Sequence, residues 1–255
     1  MPTIQLGEQT IYFRRSQPRE ATHVPPLVLV HGAGGTSMHW PGELRRLPGT
    51  TVYALDLPGH GQSTGAGCAT IAEYAQVVVD WAAALALPRF VLAGHSMGGA
   101  IAQTAALRHP QRLAGLILVG TGARLYVNPA ILEGVRQDYA TTARLIAEWA
   151  YKRQAAPATI DAYVAAMLTI PAGVTHGDFL ACSTFDVTGE VSQIDLPTLV
   201  VVGLEDRLTP PKLSRFLAQQ IPAARLVEAP EAGHMVMLEQ GAVVAAAVQE
   251  FMGMR

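Results

Sequence analysis

The feature that most restricts what this chain can fold into is a series of short apolar runs with little polar alternation. They are Leu27-Val28-Leu29-Val30, Thr51-Val52-Tyr53-Ala54-Leu55, Phe90-Val91-Leu92-Ala93, Leu116-Ile117-Leu118-Val119, Thr198-Leu199-Val200-Val201-Val202 and Ala224-Arg225-Leu226-Val227. A strand with one wet face alternates, whereas a strand covered on both faces reads as a continuous apolar run, so these runs predict a parallel sheet. Between them, residues 71–87, 97–108, 211–220 and 241–252 carry apolar residues at helical spacing. That alternation predicts an α/β architecture with a doubly wound sheet. Ahead of it, Thr3-Ile4-Gln5-Leu6, a turn at Gly7-Glu8, and Thr10-Ile11-Tyr12-Phe13 predict a hairpin.

The alternation stops near Gly122 and resumes near Leu196. Residues 127–140, 141–154 and 158–170 read as helices, with a shorter piece at 176–185, and Asn128-Pro129 supplies a cap and a first-turn proline. An all-helical block inside an α/β pattern predicts an insertion packed on the sheet edge as a lid. The 255 residues are enough to bury a full core without metal or disulfide staples. With 15% charged residues and a net charge of −2, bulk charge attracts neither nucleic acid nor an anionic membrane. No apolar run approaches the ~18 residues of a membrane span. Met1-Pro2-Thr3-Ile4-Gln5 lacks the charged-then-apolar pattern of a signal peptide, so a cytoplasmic protein is expected. Cys68 and Cys182 read as inert thiols of a reducing compartment; they argue against a disulfide-linked dimer and leave the oligomeric state open. His31, His39, His60 and His95 show no ligand spacing, so neither metal nor other cofactor is expected.

Chemistry concentrates in five segments. Gly94-His95-Ser96-Met97-Gly98-Gly99 lies between a predicted strand and a predicted helix, where a tight turn lifts a serine clear of the sheet and demands small neighbours. A serine hydroxyl needs a base, and that histidine needs a carboxylate to hold its tautomer. Asp206, in Gly203-Leu204-Glu205-Asp206-Arg207, and His234, in Gly233-His234-Met235, supply them, each just past a strand end. Glu205 is the alternative acid. His31-Gly32-Ala33-Gly34-Gly35 follows the first run; a glycine-rich loop there lets backbone N–H groups approach a developing oxyanion, with Ala33 and Met97 as expected donors. A dinucleotide loop is the rival, but Ser37 stands where its last glycine belongs, and Pro41, Gly42 and Pro48 interrupt the helix it needs. Asp56-Leu57-Pro58-Gly59-His60-Gly61-Gln62-Ser63 reads as a structured turn rather than a catalytic one. Gly32, Met38, Trp40, Met97, Met167, Phe179, Phe185 and Met235 are candidates for an apolar acyl pocket, with ordinary core as the alternative for Met167 and Phe179 above all. Adaptable methionines there imply a broad substrate range.

Taken together, the five segments resemble the α/β-hydrolase superfamily, in the branch with a helical cap, over nearly the whole chain. The resemblance implies a mostly parallel doubly wound sheet, a core of residues 1–121 and 191–255, and an inserted helical cap at 122–190. It implies a serine hydrolase of carboxylic esters acting through an acyl-enzyme, with Ser96 as nucleophile, His234 as base and Asp206 orienting it. Ser96 stands where haloalkane dehalogenases and the related epoxide hydrolases carry aspartate. Gly32 and Met235 stand where plant hydroxynitrile lyases carry threonine and lysine. Monoacylglycerol lipases share the G-H-S-M-G-G stretch. Carbon–carbon bond hydrolases share triad and cap, although no arginine flanks the nucleophile here to favour their acidic substrates. Carbon–carbon hydrolysis, enol-lactone opening, acyl transfer and a slow receptor-like binding role therefore stay open beside esterase activity. A small-molecule ester is the expected partner.

Overall fold

The strands from the third to the eighth send alternate residues into two different apolar layers. In β3 (Leu27–Val30), Leu27 and Leu29 join one buried cluster while Val28 and Val30 join the other. The same division separates Ile117 and Val119 from Leu116 and Leu118 in β6 (Leu113–Val119). All four β3 residues are at most 1% exposed, and burying a side chain of that size contributes roughly 1.5–3 kcal/mol. The computed structural model describes residues 2–20 and 23–253.

The sheet has eight strands in the order β1-β2-β4-β3-β5-β6-β7-β8. The others are β1 (Thr3–Leu6), β2 (Gln9–Ser16), β4 (Val52–Leu55), β5 (Phe90–His95), β7 (Thr198–Gly203) and β8 (Ala224–Ala229). β1 and β2 form the antiparallel hairpin, β2 pairs antiparallel with β4, and every later pairing is parallel. Helices α1 (Gly42–Arg45), α2 (Ile71–Ala84), α3 (Met97–Arg108), α8 (Pro211–Gln220), α9 (Val236–Glu239) and α10 (Gly241–Phe251) belong to this framework. Thr70 and Glu73 form a reciprocal capping box that starts α2. α3 is buried along most of its length, from Met97 to Ala106.

Between β6 and β7 lie four consecutive helices: α4 (Pro129–Gln137), α5 (Tyr139–Ala150), α6 (Pro157–Met167) and α7 (Ala172–Ser183). The Asn128 side chain caps α4 ahead of Pro129. A β-bridge between Arg124 and Asp186 closes the base of this block. Among the described residues, no single helix is long and apolar enough to cross a membrane.

Candidate active site

β5 ends at His95 and α3 begins at Met97, which leaves Ser96 alone at the corner with φ 54° and ψ −116°. Such a conformation costs a non-glycine residue roughly 1–3 kcal/mol and must be held by its surroundings. Ser96 N–H donates to the Val119 carbonyl at 2.9 Å, and the Ser96 carbonyl accepts from Thr121 Oγ1 at 2.9 Å and Gly99 N–H at 2.8 Å. The flanking glycines are required by contact. A Cβ on Gly94 would lie 1.9 Å from the Gly98 carbonyl oxygen, and one on Gly98 would lie 2.3 Å from that of Val30.

Beside this corner, His234 Nδ1 lies 2.9 Å from Asp206 Oδ2. Asp206 is itself fixed: Oδ1 accepts from the N–H groups of Leu208 and Thr209 at 2.9 and 2.8 Å, and Oδ2 accepts from Thr209 Oγ1 at 2.8 Å. A carboxylate so held accepts the Nδ1 proton and leaves Nε2 as the ring's basic nitrogen. Both side chains are buried. Glu205 instead accepts from the Arg153 N–H. The neighbouring His95 ring lies 4.6 Å from that of His234, and its Nε2 faces the His234 carbonyl at 3.0 Å. Burial, reinforced by His234, holds His95 well below the usual histidine range, so it stays neutral.

The loop after β3 lies against the serine: a Cβ on Gly32 would fall 3.1 Å from Ser96 Cβ. Within it, His31 acts as a brace, its Nε2 accepting from Leu57 N–H at 3.0 Å. Gly34 N–H donates to Asp178 Oδ2 of α7 at 2.9 Å. Asp178 is fully buried and also accepts from His60 Nε2 at 2.8 Å and Tyr74 Oη at 2.6 Å. The other His60 nitrogen faces the Pro58 carbonyl at 2.9 Å. With an acceptor at each nitrogen, the ring suits the doubly protonated form. Burial alone would lower its pKa, but the charge and hydrogen bond of Asp178, the Pro58 carbonyl and Asp56 outweigh burial and raise it. Asp56 accepts from Ser37 and Gln62 N–H at 2.7 and 3.0 Å, the bonding of a structured turn.

A narrow cavity of about 70 Å³ opens at Ser96 and His234; on that measure a single water takes ~10–15 Å³. Gly32, Ala33 and Phe179 line it, and Met97 follows Ser96 at the start of α3, where the first N–H groups lack intrahelical partners. With His95 of the serine turn, the remaining wall, missed by sequence reasoning, is His39, Leu125, Tyr126, Val127, Ile131, Ile146, Tyr163, Cys182, Leu208 and Thr209. Each of α4 to α7 contributes to it, so the cavity lies between the sheet's C-terminal edge and the helical block. Burial, with the charges of His60 and His234 adding to it, lowers His39 to about 4 and leaves that wall uncharged near neutrality.

Several pocket expectations need correction. Trp40, Met167 and Met235 are at most 1% exposed and do not line the cavity. Phe185 packs in the apolar layer of Leu116 and Leu118. Met97 is fully buried, packs in the same layer as Phe185 and does not line the cavity. Met38 is 51% exposed and lies on an outer groove. Apolar character alone did not separate wall from core. Asp178 carried a readable signal: it shares the helical spacing of Val174, Thr175, Ala181 and Cys182, the other buried residues of α7.

A model of the alpha/beta hydrolase fold family matches residues 25–240. A pimeloyl-[acyl-carrier protein] methyl ester esterase of Neisseria meningitidis serogroup A / serotype 4A is 30% identical over 258 residues, covering 93% of this chain and 80% of its own. A 2-succinyl-6-hydroxy-2,4-cyclohexadiene-1-carboxylate synthase of Enterobacter sp. (strain 638) is 29% identical over 255 residues, covering 91% and 93%. Among solved structures, a thermophilic esterase superposes with a TM-score of 0.87 at 32% identity, covering 99% of this chain and 96% of its own. With the strained serine corner, the sheet order and a match over most of its length, the chain belongs to the alpha/beta hydrolase fold family.

Proposed function

We propose that Ser96 is the nucleophile of a serine esterase acting on neutral carboxylic esters, with a backbone oxyanion site and the helical block as its cap. At the level of class, the chain is a carboxylic ester hydrolase. The observation that carries the finer reading is the junction of three features at one cavity. These are a serine held at φ 54°, a histidine 2.9 Å from a fully bonded carboxylate, and walls of uncharged side chains.

In this mechanism Ser96 Oγ attacks the ester carbonyl while His234 Nε2 takes its proton. The carbonyl electron pair moves onto oxygen, where the N–H groups of Ala33 and Met97 meet it. Collapse of that intermediate breaks the ester C–O bond, and His234 returns the proton to the departing alcohol. Water then attacks the acyl-enzyme with the same base and releases the acid. Asp206 stays ionised and holds the imidazole; Thr209 holds Asp206. Walls made of Leu125, Val127, Ile131, Ile146, Phe179 and Leu208 suit an uncharged acyl group. A methyl ester is named for the Neisseria relative and esterase activity for the thermophilic structure, which supports ester cleavage over the other chemistries of this fold. The reading carries a cytoplasmic setting and a small-molecule substrate with no cofactor.

Steady-state hydrolysis of p-nitrophenyl esters from acetate to laurate tests it with wild type and Ser96→Ala. Many turnovers by wild type are expected, and a loss of ~10⁴-fold or more in kcat in a folded alanine variant. Equal rates for the two proteins would refute the assignment of Ser96.

A further inference from the structure

The catalytic cavity is small, yet two of its wall residues also face a second space. His39 and Tyr163 line both the cavity at Ser96 and an outer groove of about 470 Å³. Their rings are stacked, with centroids 5.5 Å apart and planes 25° apart, and both residues are 8% exposed. Tyr163 is buttressed in turn by Tyr151, edge-on at 5.8 Å. The outer groove is mostly apolar. Ala158, Ala162 and Ala166, every fourth residue along α6, line it together with Met38 and Leu238, which are 51% and 39% exposed.

We infer that the stacked His39–Tyr163 pair is the specificity-determining partition of this enzyme: it ends the acyl site, and the groove behind it accepts the distal methylenes of longer acyl chains once the partition is opened. This rests on the esterase reading above. The occupant follows from the geometry. Of the residues that wall the cavity at Ser96, these two rings also wall the mostly apolar outer groove, so a chain attached at Ser96 that passes them enters that groove. A methylene transferred from water to such a surface gains about 4-fold in binding, so a few methylenes in the groove outweigh the loss of wall contact for long chains. They do nothing for short ones.

The test is the ratio of kcat/KM for p-nitrophenyl decanoate to that for p-nitrophenyl butyrate. Wild type should favour butyrate. Tyr163→Ala should raise the ratio by about 10-fold or more, while Tyr163→Phe, which keeps the ring, should leave it near wild type. Adding Ala162→Phe to Tyr163→Ala should reverse the rise by filling the groove. His39→Ala opens the other half of the partition and gives the same reading if Tyr163→Ala does not fold. Wild-type turnover with an unmoved ratio in both openings, or a raised ratio that Ala162→Phe leaves untouched, overturns the partition alone. Absence of wild-type turnover on every ester overturns the esterase reading and the partition with it.

Discussion

Replacing Asp178 with asparagine keeps the shape of the side chain and removes its charge, which isolates the electrostatic role of a fully buried group. The carboxylate serves three donors: Gly34 N–H, His60 Nε2 and Tyr74 Oη, at 2.9, 2.8 and 2.6 Å. An amide offers one acceptor oxygen and turns an NH₂ toward whatever faced the other. At least one donor is left unpaired, at ~1–3 kcal/mol, and His60 loses its counter-charge, at roughly 3–5 kcal/mol for a buried pair. His60 limits the total by shedding its proton, so a loss of about 3–4 kcal/mol is expected, or roughly 6–16 °C in Tm for a domain of this size. The pH dependence is the sharper test. The folded pKa of His60 is raised above its ordinary 6.5. Its stabilisation is therefore fully present below the unfolded value and is lost as pH rises through the folded one. Thermal or urea unfolding of both proteins should show the widest gap near pH 6 and a narrower gap near pH 9. A gap that is flat, or that widens with pH, would show that His60 is not charged by Asp178. Because Gly34 adjoins Ala33, kcat should also fall, by about 10-fold, within the ~100-fold that a 1 Å misplacement costs.

Two glycines should answer the same substitution with opposite signs. Gly98→Ala drives a Cβ to 2.3 Å from the Val30 carbonyl oxygen and should cost ~3 kcal/mol with a matching fall in activity, whereas Gly173→Ala, in α7 with open space around it, should gain ~0.5–1 kcal/mol. Calorimetry on both decides it, and equal effects would refute the contact argument. Thr209→Val removes the hydroxyl that donates to Asp206 Oδ2 at 2.8 Å. A hydrogen bond to a charged acceptor is worth about 1.5 kcal/mol, so kcat/KM should drop about 10-fold. A loss near that of Ser96→Ala would mean that Thr209 itself takes part in the chemistry.

Much of the framework was legible because each element declares itself locally. β3 and α3 run over the very residues their apolar pattern marks, Leu27–Val30 and Met97–Arg108. Departures have local causes that periodicity does not register. α2 stops at Ala84 rather than continuing to Leu87 because Ala86 turns to φ 48° and Leu87 N–H reaches back to Ala82. β6 starts at Leu113, three residues before its apolar run, because Leu113 and Gly115 pair with β5 across a register shift. α7 starts at Ala172, directly after Pro171, although the sequence pattern suggested 176. That Ser96, Asp206 and His234 would lie just past strand ends was legible for a related reason: the turn there leaves a signature of glycines.

The cavity walls could not be read in that way, since they converge from four helices whose mutual placement no short segment encodes. Polar ties add direction to that placement. Glu239, in α9, accepts from Gly233 N–H at 2.7 Å and from Lys152 N–H, just beyond α5, at 3.0 Å. Asp178, in α7, accepts from Gly34 N–H of the loop beside the serine. One carboxylate thus ties the helical block to the loop carrying His234, and another ties it to the loop carrying Ala33. Met235 N–H, bonded to the Ala150 carbonyl at 2.9 Å, reinforces the first tie. Apolar packing is non-directional and would tolerate the block sliding over the sheet edge, but a hydrogen bond weakens steeply once its angle or length departs from the optimum. The helical block that walls the cavity is therefore registered against the two loops that carry Ala33 and His234. Any displacement large enough to widen the cavity at α7 also strains the Gly34 amide that bonds Asp178.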